Sequence, residues 1–315
     1  MAIMVLLAVL GLIGAVSGAT FLVNGASAVA RRMHISEFVI GMVIVGVGTS
    51  MPEMLVSMFG AIGGSGDVAI GNVVGSNILN VLLILGTTML IKPVRLTKKG
   101  LMMDELICLA VSILFYLLVF GFSIERGGEL SRGEGIVVLM LFGLFLWYSF
   151  KTGQENGGEQ GAAVKEQTSW WKSFGSIIFG LAFLIVGARL FVNEAVEIAR
   201  MLNVSESFIA ITLLAGGTSL PELTVSITAA VKGNNEMALG NIIGSNLFNI
   251  LLILGLCSTI TPLQATGVGP FDMAVMIYSV LMMVWWVAAY RTKAVPRWQA
   301  LLLLLSYAAY IYFIS

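Results

Sequence analysis

The chain has 315 residues, of which 58% are apolar and only 11% charged, with a mean hydropathy of +0.98. Soluble domains carry roughly a quarter charged residues, so a water-soluble enzyme is excluded. The 17 basic and 17 acidic residues balance, leaving no net field that would draw nucleic acid.

A helix needs about 20 mostly apolar residues to cross the hydrocarbon layer. Ten such segments follow in chain order: 3–30, 37–62, 67–91, 101–122, 134–150, 173–199, 206–231, 236–260, 270–290 and 297–314. The expected fold is therefore an all-α polytopic membrane protein with ten transmembrane helices. The first segment has no basic stretch ahead of its apolar core and runs too long for a signal peptide, so it reads as a helix. Cys108 and Cys257 lie inside apolar segments and read as buried thiols, with no disulfide framework. His34, the single histidine, falls in a basic loop and leaves no multi-histidine site for zinc or iron. The longest connection, 151–172, collects Gly, Gln and Glu and reads as a flexible linker. It separates a first half, 1–150, from a second, 173–315.

Alternate loops carry the basic residues. Arg31, Arg32, Lys92, Arg95, Lys98, Lys99, Lys151, Lys165, Lys172, Lys232, Arg291, Lys293 and Arg297 share one side, against Arg126, Arg132 and Arg200 on the other. The positive-inside rule makes the first side cytoplasmic and turns both termini outward. With no targeting segment and compact loops, the expected location is a prokaryotic plasma (inner) membrane.

The chain repeats itself at an offset of 169 residues. GTSMPE (48–53) aligns with GTSLPE (217–222), and GNVVGSNILN (71–80) with GNIIGSNLFN (240–249). From 48 to 86, 21 of 39 positions are identical, within repeats spanning about 37–91 and 206–260. Asn24 pairs with Asn193, Ser36 with Ser205, and Glu37 with Glu206 at the same offset. A repeat unit of five helices enters the membrane from opposite sides in its two copies, which is the inverted-repeat plan of many secondary transporters. Gly14 and Gly18, Gly71 and Gly75, and Gly240 and Gly244 have the four-residue spacing that lets helices approach closely.

Duplicated packing does not explain duplicated carboxylates. Glu53 and Glu222 fall near mid-membrane, where a carboxylate costs several kcal/mol unless it is paired, protonated or bound to a cation. Neither segment offers Lys, Arg or His nearby. Pro52 and Pro221 mark broken helices whose freed carbonyls survive at that depth only where they line a site. Helical spacing puts Thr49, Ser50 and Glu53 on one side, and Ser76 and Asn80 likewise. The second half repeats this with Thr218, Ser219 and Glu222, and with Ser245 and Asn249. Pooled, the donors are all oxygens, which suits calcium or sodium better than magnesium, zinc or copper. Asn77 and Asn246 either join that set or tie helices together. Arg189 and Glu194 are expected to pair near one interface, and Asp104, Glu105 and Asp272 to sit favourably at helix starts.

With two GTSxPE motifs, each followed by GNxxGSN, the chain resembles the calcium/cation antiporter superfamily, in its prokaryotic sodium/calcium exchanger branch. The resemblance covers essentially the whole chain. It implies extrusion of Ca2+ by alternating access, driven by Na+ entry, with the first and sixth helices sliding against the other eight. It also implies that Glu53 and Glu222 coordinate both ions, helped by Thr49, Ser50, Ser76, Asn80, Thr218, Ser219, Ser245 and Asn249, with backbone carbonyls near Gly46 and Ala215. Relatives often carry aspartate where Asn249 stands, and potassium-dependent ones carry acids at both amide positions. Here both are Asn, so the formal site charge is −2 and potassium dependence is not implied.

Ca2+/H+ antiport on the same glutamates is the main rival, although the proton-coupled branch carries a GNxxE signature in place of GTSxPE. A passive channel fits a symmetric ring better than a two-fold monomer, and no catalytic constellation suggests an intramembrane enzyme. Na+ and Ca2+ are thus the expected substrates, in contact with membrane lipid, without a cofactor, nucleic acid or an obligate protein partner.

Overall fold

The computed structural model describes residues 1–93, 101–121, 128–157, 169–202, 215–290 and 294–314, and these are almost wholly helical. In chain order the helices are α1 (Ala2–Met33), α2 (Glu37–Thr49), α3 (Met51–Ile62), α4 (Gly66–Ile91), α5 (Leu101–Phe120), α6 (Arg132–Gly157) and α7 (Trp170–Met201). There follow the one-turn α8 (Ala215–Gly217), then α9 (Leu220–Val231), α10 (Asn235–Ile260), α11 (Pro270–Ala289) and α12 (Arg297–Ile314). Among the described residues 8 helices are long and apolar enough to span a membrane, and the bent pair α2–α3 makes up to 9. The expected segment 206–231 is described only from 215 onward; residues 206–214 lie outside the described residues.

The apolar residues place the helices in two shells. In α4 and α10 the most hydropathic windows are 72% and 83% buried, whereas those of α1 and α7 are 22% and 28% buried. The repeat-bearing helices therefore form the centre, and α1 and α7 run along its outside. Trp286, Phe38, Phe115 and Phe248 are the largest side chains buried around that centre.

The outer pair is antiparallel and joined through glycine. A Cβ on Gly11 would meet Gly187 and Phe191, one on Gly18 would meet Gly180 and Leu184, and one on Gly25 would meet Ser173 and Ile177. Close backbone approach replaces the hydrophobic drive that lipid cannot supply. The same duty holds at Gly240 and Gly244, which face the backbone of Phe38 and Met42 on α2. Gly71 and Gly75 differ: among the described residues a Cβ at Gly71 meets only Val268, at 3.7 Å, and one at Gly75 meets nothing within 4 Å.

The offset of 169 recurs in the helix boundaries. α3 and α9 start and stop at corresponding residues, and so do α4 and α10. Each of the latter pair contains a π-helical segment, Asn80–Leu85 in one and Asn249–Leu254 in the other.

Two features depart from the sequence expectation. Helix α6 continues to Gly157, so the first part of the 151–172 linker is helical. Lys, Gln and Glu are good helix formers, and their polarity marks departure from the apolar layer rather than the end of the helix. Short strands β1 (Gly128–Leu130) and β2 (Leu263–Ala265) pair antiparallel, with Leu130 opposite Leu263, and stitch the two halves together at one end. Strands of three residues carry no readable alternation.

Candidate functional site

Proline builds the site by ending one helix and starting another. Pro52 and Pro221 sit in the first turns of α3 and α9, where a missing N–H costs nothing. The chain turns at Ser50 (φ −81°, ψ 7°) and at Ser219 (φ −90°, ψ 9°). Between α2 and α3 the axis bends by 47°. Glu53 and Glu222 consequently lie in the first turns of new helices, where the dipole favours negative charge.

Both glutamates are buried, each 1% exposed. Ser50 Oγ donates to Glu222 Oε1 at 3.0 Å, and Ser219 Oγ donates to Glu53 Oε1 at 2.8 Å. Ser76 Oγ lies 3.3 Å from Ser219 Oγ. Each carboxylate is thus held by the serine of the other half. The amides behave alike: Asn80 Nδ2 donates to Asn246 Oδ1 at 3.0 Å, and Asn249 Nδ2 to Asn77 Oδ1 at 2.9 Å. Asn77 also donates to the Asn246 carbonyl at 3.2 Å, so Asn77 and Asn246 do tie α4 to α10. These contacts exchange each residue with its sequence-repeat partner at the offset of 169.

These bonds leave a set of oxygens unused. Glu53 Oε2, Glu222 Oε2, Asn80 Oδ1, Asn249 Oδ1, Thr218 Oγ1 and Ser245 Oγ are buried and form no well-aligned hydrogen bond, with Thr218 lying beside Glu53 and Ser245 beside Glu222. Each amide is turned so that its N–H is spent across the interface and its oxygen is left over. Buried polar atoms are nearly always satisfied, so six such atoms on six of the expected residues make a coherent feature. Among the described residues no Lys, Arg or His contacts either carboxylate. What this arrangement can do chemically is receive a cation through oxygen.

The remaining expected residues lie beside this set. Thr49 Oγ1 is 3.1 Å from Asn241 Oδ1 and 3.3 Å from the Gly46 carbonyl, and it also lies beside the Glu222 carboxylate. The Gly46 carbonyl also accepts from Ser50 N at 3.0 Å, and is not among the unused oxygens. Ala215 opens α8, one turn ahead of Thr218.

Asn72 and Asn241 belong to the site and are not singled out by sequence reasoning. Asn72 Nδ2 donates to Ser57 Oγ at 3.0 Å and to the Glu53 carbonyl at 3.1 Å. Asn241 Nδ2 donates to Ser226 Oγ at 3.0 Å and reaches the Glu222 carbonyl at 3.4 Å. They anchor the turns that carry the glutamates. Their signal is identity at the second position of both GNxxGSN copies.

A cavity of about 150 Å³ adjoins the site, lined by Pro52, Thr218 and Pro221 and by Arg189 and Asn193 of α7. Arg189 does not pair with Glu194: no ion pair joins them among the described residues, and five positions on one helix separate side chains by about 140°. The first-turn reading holds for Asp272, which accepts from Gly269 N at 2.7 Å. Glu105 is instead 1% exposed inside α5, with Oε2 unpartnered.

The model of the family described as sodium/calcium exchanger protein matches residues 3–151 and 172–315. The putative antiporter CaxA of Alkalimonas amylolytica is 34% identical over 310 residues, covering 96% of this chain and 95% of that protein. The sodium/calcium exchanger MaX1 of Methanosarcina acetivorans is 31% identical over 341 residues, covering 97% of each. Among solved structures, the sodium-calcium exchanger NCX_Mj soaked with zero Na+ and Ca2+ superposes with a TM-score of 0.84 at 34% identity over 100% of both chains.

Proposed function

Because the chain belongs to the sodium/calcium exchanger family, in the prokaryotic branch of the calcium/cation antiporter superfamily, we propose that it exchanges Na+ for Ca2+ by alternating access. Both ions compete for one oxygen site built on Glu53 and Glu222, completed by Ser50, Ser76, Asn80, Thr218, Ser219, Ser245 and Asn249. The single observation that carries this reading is the set of six unpartnered buried oxygens on those residues. Two carboxylates and neutral oxygens in flexible geometry suit Ca2+, and the same charge of −2 is met by more than one Na+.

The scaffold of this reading is a pair of five-helix halves, 1–150 and 173–315, related by inversion and joined by the 151–172 linker, ten membrane spans in all. Supporting it are the helix boundaries repeated at an offset of 169, the reciprocal serine and asparagine contacts, and the antiparallel course of α1 beside its counterpart α7. Both termini face outward, so the cavity beside Thr218, Arg189 and Asn193 is the external approach to the site.

Coupling follows from charge. Two buried carboxylates are costly when empty and ionised, so the empty carrier resists reorientation. Neutralised by Ca2+ or by Na+, it crosses.

The test separates Na+ from H+ as the driving ion. Proteoliposomes loaded with Na+ and diluted into Na+-free medium containing 45Ca2+ accumulate the isotope without added K+. Vesicles with only an outward proton gradient do not. Uptake driven by protons alone assigns the glutamates to proton carriage and overturns the Na+ reading.

A further inference from the structure

A second polar cavity, of about 780 Å³, lies at the opposite end of α1 and α7 from the Arg189 opening and has no part in the ion site. Its charged lining is Arg31, Lys172, Lys232 and Glu37. The carboxylate is already engaged: Glu37 Oε2 accepts from Ser27 Oγ at 2.8 Å and Asn234 Nδ2 at 3.0 Å, and Arg31 Nη1 is 3.7 Å from Oε1. Among the described residues the two lysines have no such partner. Lys232 Nζ donates to Asn24 Oδ1 at 2.6 Å and to the Thr20 carbonyl at 3.2 Å, both neutral acceptors. An ammonium has three donors, so one is left. Partial burial pulls the Lys232 pKa down, as expected for a cation without a compensating charge. Lys172 is exposed and, among the described residues, has no ion pair or hydrogen bond.

The surroundings place this cavity at headgroup depth. Arg32 stacks over Trp170, 4.8 Å from the ring centroid, and Trp171 next to Lys172 is 87% exposed. Tryptophan and basic residues gather at that level of a bilayer, and basic pockets between spanning helices on the cytoplasmic side suit phosphate headgroups. Below it, Phe21, Phe174 and Ile178 present exposed apolar surface on α1 and α7.

We propose that this cleft binds a phosphate monoester anion, carried by a lipid headgroup or by a soluble compound, between Lys172 on α7 and Lys232 at the end of α9. Bound there, the anion bridges the outer helix pair to the central core. It supplies the opposite charge that neither lysine finds among the described residues.

The test is equilibrium binding to the purified full-length protein in neutral detergent. Three probes are compared: dioctanoyl phosphatidic acid, dioctanoyl phosphatidylcholine and glycerol 3-phosphate. Saturable binding of one phosphatidic acid per chain, with none of phosphatidylcholine, supports the site. Lys172→Gln weakens it about fivefold, the effect of one basic residue at such a surface, and Lys172→Gln/Lys232→Gln removes it. Glycerol 3-phosphate binding with the same lysine dependence keeps the site and makes its source soluble. Lys172 is exposed and makes no hydrogen bond or ion pair among the described residues, so the single variant reads binding with the fold kept. Absence of saturable binding of either phosphate, or binding unchanged in both variants, overturns the proposal.

Discussion

Glu53→Gln and Glu222→Gln each abolish Na+-driven 45Ca2+ uptake while the protein still inserts in the membrane. Glutamine keeps the size of the side chain and the acceptor for the serine of the opposite half. What it removes is one of two negative charges from a site with no other. With the cation bound, each carboxylate is one partner of a buried charge pair, and removing such a partner costs about 3–5 kcal/mol, while each 1.4 kcal/mol is about tenfold. Uptake therefore falls at least about a hundredfold in either variant. The double variant is no worse than the singles, because the two carboxylates act as one unit. Glu105→Gln is the matched control: this carboxylate is equally buried but lies in α5, away from the six unpartnered oxygens, and its uptake stays near that of the parent. Full exchange in either site variant, or equal loss in the control, refutes the assignment.

Gly18→Val dismantles the outer helix pair, and Gly14→Ala leaves it intact. The two glycines sit four residues apart on α1, yet they face α7 differently. A Cβ at Gly18 would lie 2.3 Å from Leu184 N and 2.7 Å from the Gly180 carbonyl, backbone atoms that cannot rotate away. A Cβ at Gly14 would find its nearest neighbour, the Gly187 Cα, at an ordinary 3.6 Å. Overpacking a tight contact costs about 1–3 kcal/mol or more, and lipid offers no hydrophobic reward for re-docking the helix elsewhere. Thermal unfolding in detergent checks this: Gly18→Val lowers the midpoint by about 5 °C or more and loses transport, whereas Gly14→Ala matches the parent within error. Equal stability of the two variants would mean that α1 and α7 are not held by this contact.

Much of this architecture is legible before any coordinates. Span lengths come from hydropathy, and the helix breaks at Ser50 and Ser219 come from proline following a Gly-Thr-Ser run. The glutamates stand out because they fall mid-segment with no Lys, Arg or His nearby. Other features leave no such trace. A π-helical segment adds one residue to a turn, and in the apolar run after Asn80 or Asn249 that insertion does not disturb the pattern. The orientation of each amide is set by the opposite half, so no local signal reports that Asn80 and Asn249 leave their oxygens rather than their N–H groups unused. Thr49 and Thr218 occupy matching positions, but Thr49 is drawn to Asn241 while Thr218 forms no well-aligned hydrogen bond. Arg189 and Glu194 look like partners when only proximity in sequence is counted, and helical rotation separates them. The long reach of α6 is hidden because a polar composition resembles a linker.

The measurement closest to the central claim is equilibrium binding of 45Ca2+ to the purified protein at increasing Na+. Competition for a single oxygen site predicts that the Ca2+ midpoint rises steeply with Na+ while the number of sites stays constant. Both the binding and its Na+ dependence vanish in Glu222→Gln. A Ca2+ affinity indifferent to Na+, or retained in that variant, would mean that the two ions do not share Glu53 and Glu222.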